Sequence, residues 1–154
     1  MTILRTITLS LDQARYLILD DIPPPKDMRV GEPAWIGFET PGAGHDSPLR
    51  YLVDEPALLV QMADVEHAEG HGPTIEIARQ IVKFAHALMD APASYALFVH
   101  CRAGMYRSGA VVQWLRQDYG IPESSASNRM KILGDTRNRR LLDLLRQVDD
   151  RRRS

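Results

Sequence analysis

The sequence predicts a single α/β domain in which a mostly parallel sheet of about four or five strands is flanked by helices. Three observations point there. Short apolar runs of strand length occur at 34–38, 56–64 and 95–100. Between the last two, Ile75, Ala78, Ile81, Val82, Ala85, Leu88 and Met89 recur at helical spacing. Finally, the run at 95–100 passes through a short glycine-bearing loop into another helical stretch. Strands alternating with helices form βαβ units, whose crossovers demand parallel pairing. A chain of 154 residues matches one domain with one sizeable core, residues 1–154 together.

Taken in order, Thr6 to Leu11 alternates polar and apolar residues, as a short strand or the end of one does, and Asp12 offers an N-cap for a helix or turn through DQARYLIL. Asp20 to Lys26 holds three consecutive prolines, which lack amide donors and resist helix, so a surface loop is expected. Ala34 to Phe38 reads as a strand ended by the turn-rich TPGAGHDSP. Pro56 to Asp64 reads as a buried strand entering the polar, glycine-containing loop DVEHAEGHG. Pro73 suits a first helical turn, and a helix is expected from about 73 to 90. Tyr95 to His100 is a further buried strand, and AVVQWLRQDYG a helix stopped by Gly120 and Pro122. A short helix over SSASNRMKIL and an amphipathic one carrying Leu141, Leu142, Leu144, Leu145 and Val148 complete the chain.

Composition excludes several classes. The hydrophobic fraction of 44% and charged fraction of 25% are those of a globular protein. With 19 Lys plus Arg against 20 Asp plus Glu, no global field gathers polyanions, so nucleic acid is not an expected partner and any anion site is local. No apolar run approaches the roughly 20 residues that span a bilayer, and no leader is recognised. The single cysteine permits no intramolecular disulfide and suits a cytoplasmic location. No metal or cofactor is called for; oligomeric state is open.

The chemistry concentrates in His100-Cys101-Arg102-Ala103-Gly104-Met105-Tyr106-Arg107-Ser108. A thiol closes a strand and an arginine opens a helix, so the chain between them must curl. In such a curl the amides from Arg102 to Arg107, through Ala103, Gly104, Met105 and Tyr106, turn inward as an anion nest, and the helix N-terminus adds its positive end. Gly104 admits backbone conformations that let the loop close on a phosphate-sized ligand. The field that holds a phosphate also favours the thiolate of Cys101. Arg107 presents a planar fork for two phosphoryl oxygens, Ser108 can hydrogen-bond the sulfur, and His100 positions the cysteine from below. Read singly, Cys101 would be a buried strand-end thiol and His100 a satisfied core histidine. These residue types at these offsets arise by chance in about one chain in 100,000 of this length.

The segment resembles the signature of the protein tyrosine and dual-specificity phosphatases, His-Cys-x5-Arg followed by Ser or Thr, with its frequent Ala-Gly pair present as Ala103-Gly104. The resemblance is specific over 100–108 and extends as a layout over about 56–120. It implies a phosphatase-like fold, phosphomonoester hydrolysis through a cysteinyl-phosphate, and a general acid on a loop upstream. Asp64 fits that place, with Gly70 and Gly72 expected to let the loop open and close; Glu66 and Glu69 share the loop, while Asp46 and Asp54 fit the topology less well. HAEGH is not the His-Glu-x-x-His zinc pattern, so His67 and His71 read as exposed loop residues. Arg151, Arg152 and Arg153 read as a solvated end.

The short chain shows no phosphotyrosine-recognition segment, which favours a compact, dual-specificity-like or tyrosine phosphatase acting on a phosphorylated protein or small phosphomonoester. Phosphoinositides and the 5′ end of RNA are alternative substrates. A rhodanese-like sulfurtransferase or a non-catalytic phospho-ligand module are the other classes.

Overall fold

A computed structural model of the chain describes residues 2–23, 30–44, 46–103, 105–125 and 138–151. Five strands, β1 (Thr2–Leu9), β2 (Glu32–Glu39), β3 (Ala57–Gln61), β4 (Ser94–His100) and β5 (Glu123–Ser125), form one sheet in the order β3-β2-β4-β1-β5. Every pair is parallel. Four helices flank it: α1 (Leu11–Leu19), α2 (Ile75–Asp90), α3 (Arg107–Tyr119) and α4 (Arg139–Val148). The expected α/β domain is therefore present, with its sheet wholly parallel.

The pleat divides the core. Ala34, Ile36, Phe38, Leu97, Val99 and Cys101 face α2, α3 and α4, while Trp35, Ala96 and Phe98 face α1 and a 3-10 turn at Pro48–Tyr51. Connections running toward β3 lie on the α1 face, and those running back through α2 and α3 lie on the other. Reversing both direction and face keeps one crossover hand. β1 and β4 are thus neighbours whose following helices leave to opposite faces, which opens a crevice beyond their carboxyl ends. The loop after Cys101 sits there, and Leu11 N–H donates to the Arg102 carbonyl at 3.1 Å to fasten it.

Local sequence accounts for most element ends. Helix α2 buries Ala78, Ile81, Val82, Ala85 and Leu88 along one face. Its cap is Thr74, so Pro73 lies one residue before the helix entry rather than in the first turn. Gly120 ends α3 in the left-handed region at φ 69°, and Leu141, Leu142 and Leu145 bury one face of α4.

Five expectations are corrected. The cap of α1 is Ser10, not Asp12: Ser10 Oγ accepts from Gln13 N–H while Gln13 Oε1 accepts from Ser10 N–H, a reciprocal box that Asp12 cannot form. Strand β1 begins at Thr2, and a register shift between Ile3 and Arg5 moves Ile3 to the opposite face from Ile7 and Leu9. β3 is an edge strand paired only with β2, so Val60 alone is fully buried in it. Ser124 and Ser125 belong to β5, not to a helix; the rest of SSASNRMKIL lies outside the described residues, as do Pro24, Pro25, Lys26, Arg152 and Arg153. Arg151 is held by two bonds to Asp90, at 2.9 and 2.8 Å, rather than frayed.

Candidate functional site

Cys101 follows β4, a central strand, and is buried, 2% exposed. Its Sγ lies 3.2 Å from the Ser108 Oγ, brought back by the first turn of α3. Among the described residues no side chain caps that end of α3; its cap position is Tyr106. Helix dipole and open amides there favour an anion over a neutral ligand.

Arg107, the first residue of α3, is 4% exposed. Its Nη1 donates to Thr40 Oγ1 at 2.9 Å and to the Met62 carbonyl at 2.7 Å. Those two residues follow β2 and β3, so the guanidinium is anchored across the carboxyl end of the sheet. Its Nε is buried with no partner among the described residues. A buried guanidinium donor left open costs free energy unless an acceptor arrives.

His100 points to the face opposite Cys101, since neighbouring strand residues alternate. It is fully buried, and its Nε2 lies 2.7 Å from Ser47 Oγ. Ser47 Oγ also accepts from Leu49 N–H at 3.2 Å, and the direction of its bond with His100 is set by the ring tautomer. Burial pushes His100 down to about 4, against a smaller opposing effect of the Cys101 backbone, so the ring is neutral at pH 7. Ser47 is in turn fixed by Glu39, whose buried carboxylate accepts from Ser47 N–H and Gln61 Nε2 at 2.5 Å each and pairs with Arg50. Space for the ring comes from Gly37: a Cβ there would lie 2.5 Å from His100 Nε2.

The Asp64 loop lies beside this centre. It starts two residues beyond Met62, the acceptor of Arg107, and Asn138 Nδ2 donates to Asp64 Oδ1 at 2.9 Å. Glu66 Oε1 accepts from the Arg139 N–H at 3.1 Å, which engages it at the start of α4, and Glu69 is exposed beside His67 at 3.5 Å. Gly70 and Gly72 lie in a compactly closed loop. Gly70 has φ 67°, a Cβ on Gly72 would lie 1.7 Å from the His67 carbonyl, and Ala63 N–H closes the loop on His71 O at 2.7 Å. The Asp46 carbonyl accepts from Arg15 of α1 at 3.2 Å, and Asp54 lines a cavity described below.

Of the loop between Cys101 and Arg107, Arg102 and Tyr106 are exposed, Met105 is buried, Ala103 is half-buried, and Gly104 lies outside the described residues. Ser47, Glu39, Thr40 and Asn138 were not singled out in the sequence. Ser47 and Asn138 stand in polar segments without periodicity, and only the tertiary fold brings them to His100 and to the Tyr106 carbonyl, respectively. A serine two residues before an amide it caps was the one local hint, at Ser47.

Two other features lie apart. A cavity of about 520 Å³ on the α1 face is lined by Leu17, Trp35, Leu52, Asp54 and Phe98, and none of Cys101, Arg107 or Asp64 borders it. His86, Asp149 and Asp150 place ligand atoms within 4.8 Å of one another. Asp149 is already engaged by Trp114 Nε1 at 3.0 Å, Tyr119 Oη at 2.7 Å and Arg151 N–H at 3.0 Å, which marks it as a structural hub. No helix among the described residues is long and apolar enough to cross a membrane. In comparisons with known proteins, no family model, no curated protein and no solved structure matches this chain.

Proposed function

We propose that the protein is a cysteine-dependent phosphatase that hydrolyses phosphomonoesters through a cysteinyl-phosphate, in the manner of a compact dual-specificity or tyrosine phosphatase. One observation carries the reading: the Cys101 thiol sits beside the uncapped start of α3, with the Arg107 guanidinium anchored there and its Nε open. The thiolate of Cys101 attacks phosphorus, the S–P bond forms and the ester P–O bond breaks. Loop amides and Arg107 hold the phosphoryl oxygens, and Asp64 gives its proton to the departing oxygen. Water, deprotonated by the Asp64 carboxylate, then attacks phosphorus and the S–P bond breaks, with the Ser108 hydroxyl stabilising the sulfur that leaves.

The substrate is a phosphorylated protein or a small phosphomonoester, and a nucleophilic thiolate suits a reducing cytoplasm. An aryl phosphate and thiosulfate assayed side by side test the reaction class. Wild type hydrolyses the aryl phosphate and Cys101→Ser does not, while still binding vanadate through the amides and Arg107. Sulfur transfer from thiosulfate without aryl phosphate turnover would move the protein to the rhodanese class. Turnover by Cys101→Ser near the wild-type rate would remove Cys101 from the chemistry.

A further inference from the structure

Asn138 belongs to no motif, yet it touches both halves of the proposed site. It is the cap of α4, where its Oδ1 accepts from Leu141 N–H at 3.0 Å. Its Nδ2 donates to Asp64 Oδ1 at 2.9 Å and to the Val65 carbonyl at 3.0 Å. Its backbone N–H donates to the Tyr106 carbonyl at 2.9 Å, in the Cys101–Arg107 loop. The residue is 2% exposed. The assignment of oxygen and nitrogen in this amide is fixed by its partners: Leu141 N–H can only donate and the Val65 carbonyl can only accept. Around it, Arg139 N–H bonds Glu66 and Arg140 Nε donates to the Pro73 carbonyl at 2.9 Å, so the start of α4 grips both ends of the acid loop.

We infer that Asn138 is a positioning residue that holds Asp64 against the Cys101 loop and directs its transferable proton to Oδ2. This rests on Asp64 being the general acid proposed above. A carboxylic acid has one hydroxyl and one acceptor oxygen; with an amide N–H bonded to Oδ1, the proton resides on Oδ2. When that proton passes to the departing oxygen, as the S–P bond forms and the P–O bond breaks, Asp64 becomes a carboxylate. The bond from Asn138 then has a charged acceptor and strengthens, so it favours the transition state over the ground state. The same grip keeps the carboxylate in place to take the proton of the attacking water.

Asn138→Ser tests this, because serine is as good a helix cap but has no amide donor. Phenyl phosphate, a poor leaving-group substrate, and p-nitrophenyl phosphate, a good one, are compared by kcat and KM, with circular dichroism to verify the fold. Asn138→Ser lowers kcat on phenyl phosphate by about tenfold or more, as misplacement of a reacting group does, with a smaller loss on p-nitrophenyl phosphate and KM little changed. In an Asp64→Asn background the same change costs little more, since the residues act as one unit. Asn138→Asp retains the cap but sets a second carboxylate against Asp64, and the alkaline limb of its kcat profile moves to higher pH. Equal losses on both substrates, or an Asn138→Ser enzyme with the wild-type leaving-group dependence, would overturn the inference alone. Wild type inactive on both aryl phosphates would overturn the phosphatase reading and this inference with it. An active wild type whose leaving-group dependence survives Asp64→Asn would instead remove Asp64 as the acid, and with it the role of Asn138.

Discussion

Adjacent residues at the end of β4 have opposite tasks because a strand alternates its faces. Cys101 turns toward α3 and Ser108, while His100 turns the other way, toward Gly37, Ser47 and Glu39. Because burial lowers His100 from the ordinary 6.5 to about 4, the folded protein binds fewer protons than the unfolded chain between those values. Stability attributable to this group is complete above pH 6.5 and falls as pH drops toward 4. At pH 5 the loss amounts to about 2 kcal/mol, taking each pH step below the ordinary value at about 1.4 kcal/mol. Urea unfolding of wild type and His100→Asn at pH 7 and pH 5 checks this: the pH difference shrinks by that amount in the variant. An equal pH difference in both would place the titration elsewhere. Cys101, Arg107, Ser108 and His100 were legible in the sequence because their offsets are local. Ser47, Glu39 and Asn138 were not, since each meets its partners only after segments far apart in the chain are aligned.

Elements explain which parts of the layout could be read. The helical period of α2 and the apolar run of β4 are strong signals, and both elements fall where expected. Weak signals failed where neighbours decide. Thr6 and Thr8 are the polar positions of the alternation in β1, yet both are buried because helices pack on both faces of this strand. β5 has three polar residues and exists as a strand only by pairing with β1. Gly37, in the middle of β2, has no turn to justify it and is explained only by its neighbours. A Cβ there would lie 2.2 Å from Leu49 Cδ1 as well as against the His100 ring. Gly37→Ala is therefore expected to cost about 1–3 kcal/mol of stability through overpacking, and also to lower kcat by displacing His100 beneath Cys101. Thermal unfolding with a parallel aryl phosphatase assay measures both, and wild-type values in each would show that the ring and Leu49 yield freely.

At the scale of the whole molecule, one face of the sheet carries α2, α3 and α4 and, at its carboxyl end, Cys101. On that face α4 packs on α2 and α3, and the three converge on Asp149, which gathers Trp114, Tyr119 and His86. Burial pushes the Tyr119 hydroxyl well up, with Asp149 adding in the same direction, so it stays protonated and remains a donor. Asp149→Ala leaves several buried donors unpaired and is expected to destabilise the fold by roughly 2–5 kcal/mol, with kcat per folded molecule unchanged. A large fall in kcat without loss of stability would instead connect this hub to the site. At the carboxyl edge of the sheet, the segments after β1, β2, β3 and β4 meet around Cys101, whose sulfur is proposed to receive the phosphoryl group. Acid quench of wild type during turnover of an aryl phosphate, followed by mass spectrometry of the peptide containing Cys101, measures it directly. The account predicts a phosphoryl adduct on Cys101 that forms with the first release of phenol and is absent from Cys101→Ser; rapid turnover with no adduct on that peptide would contradict it.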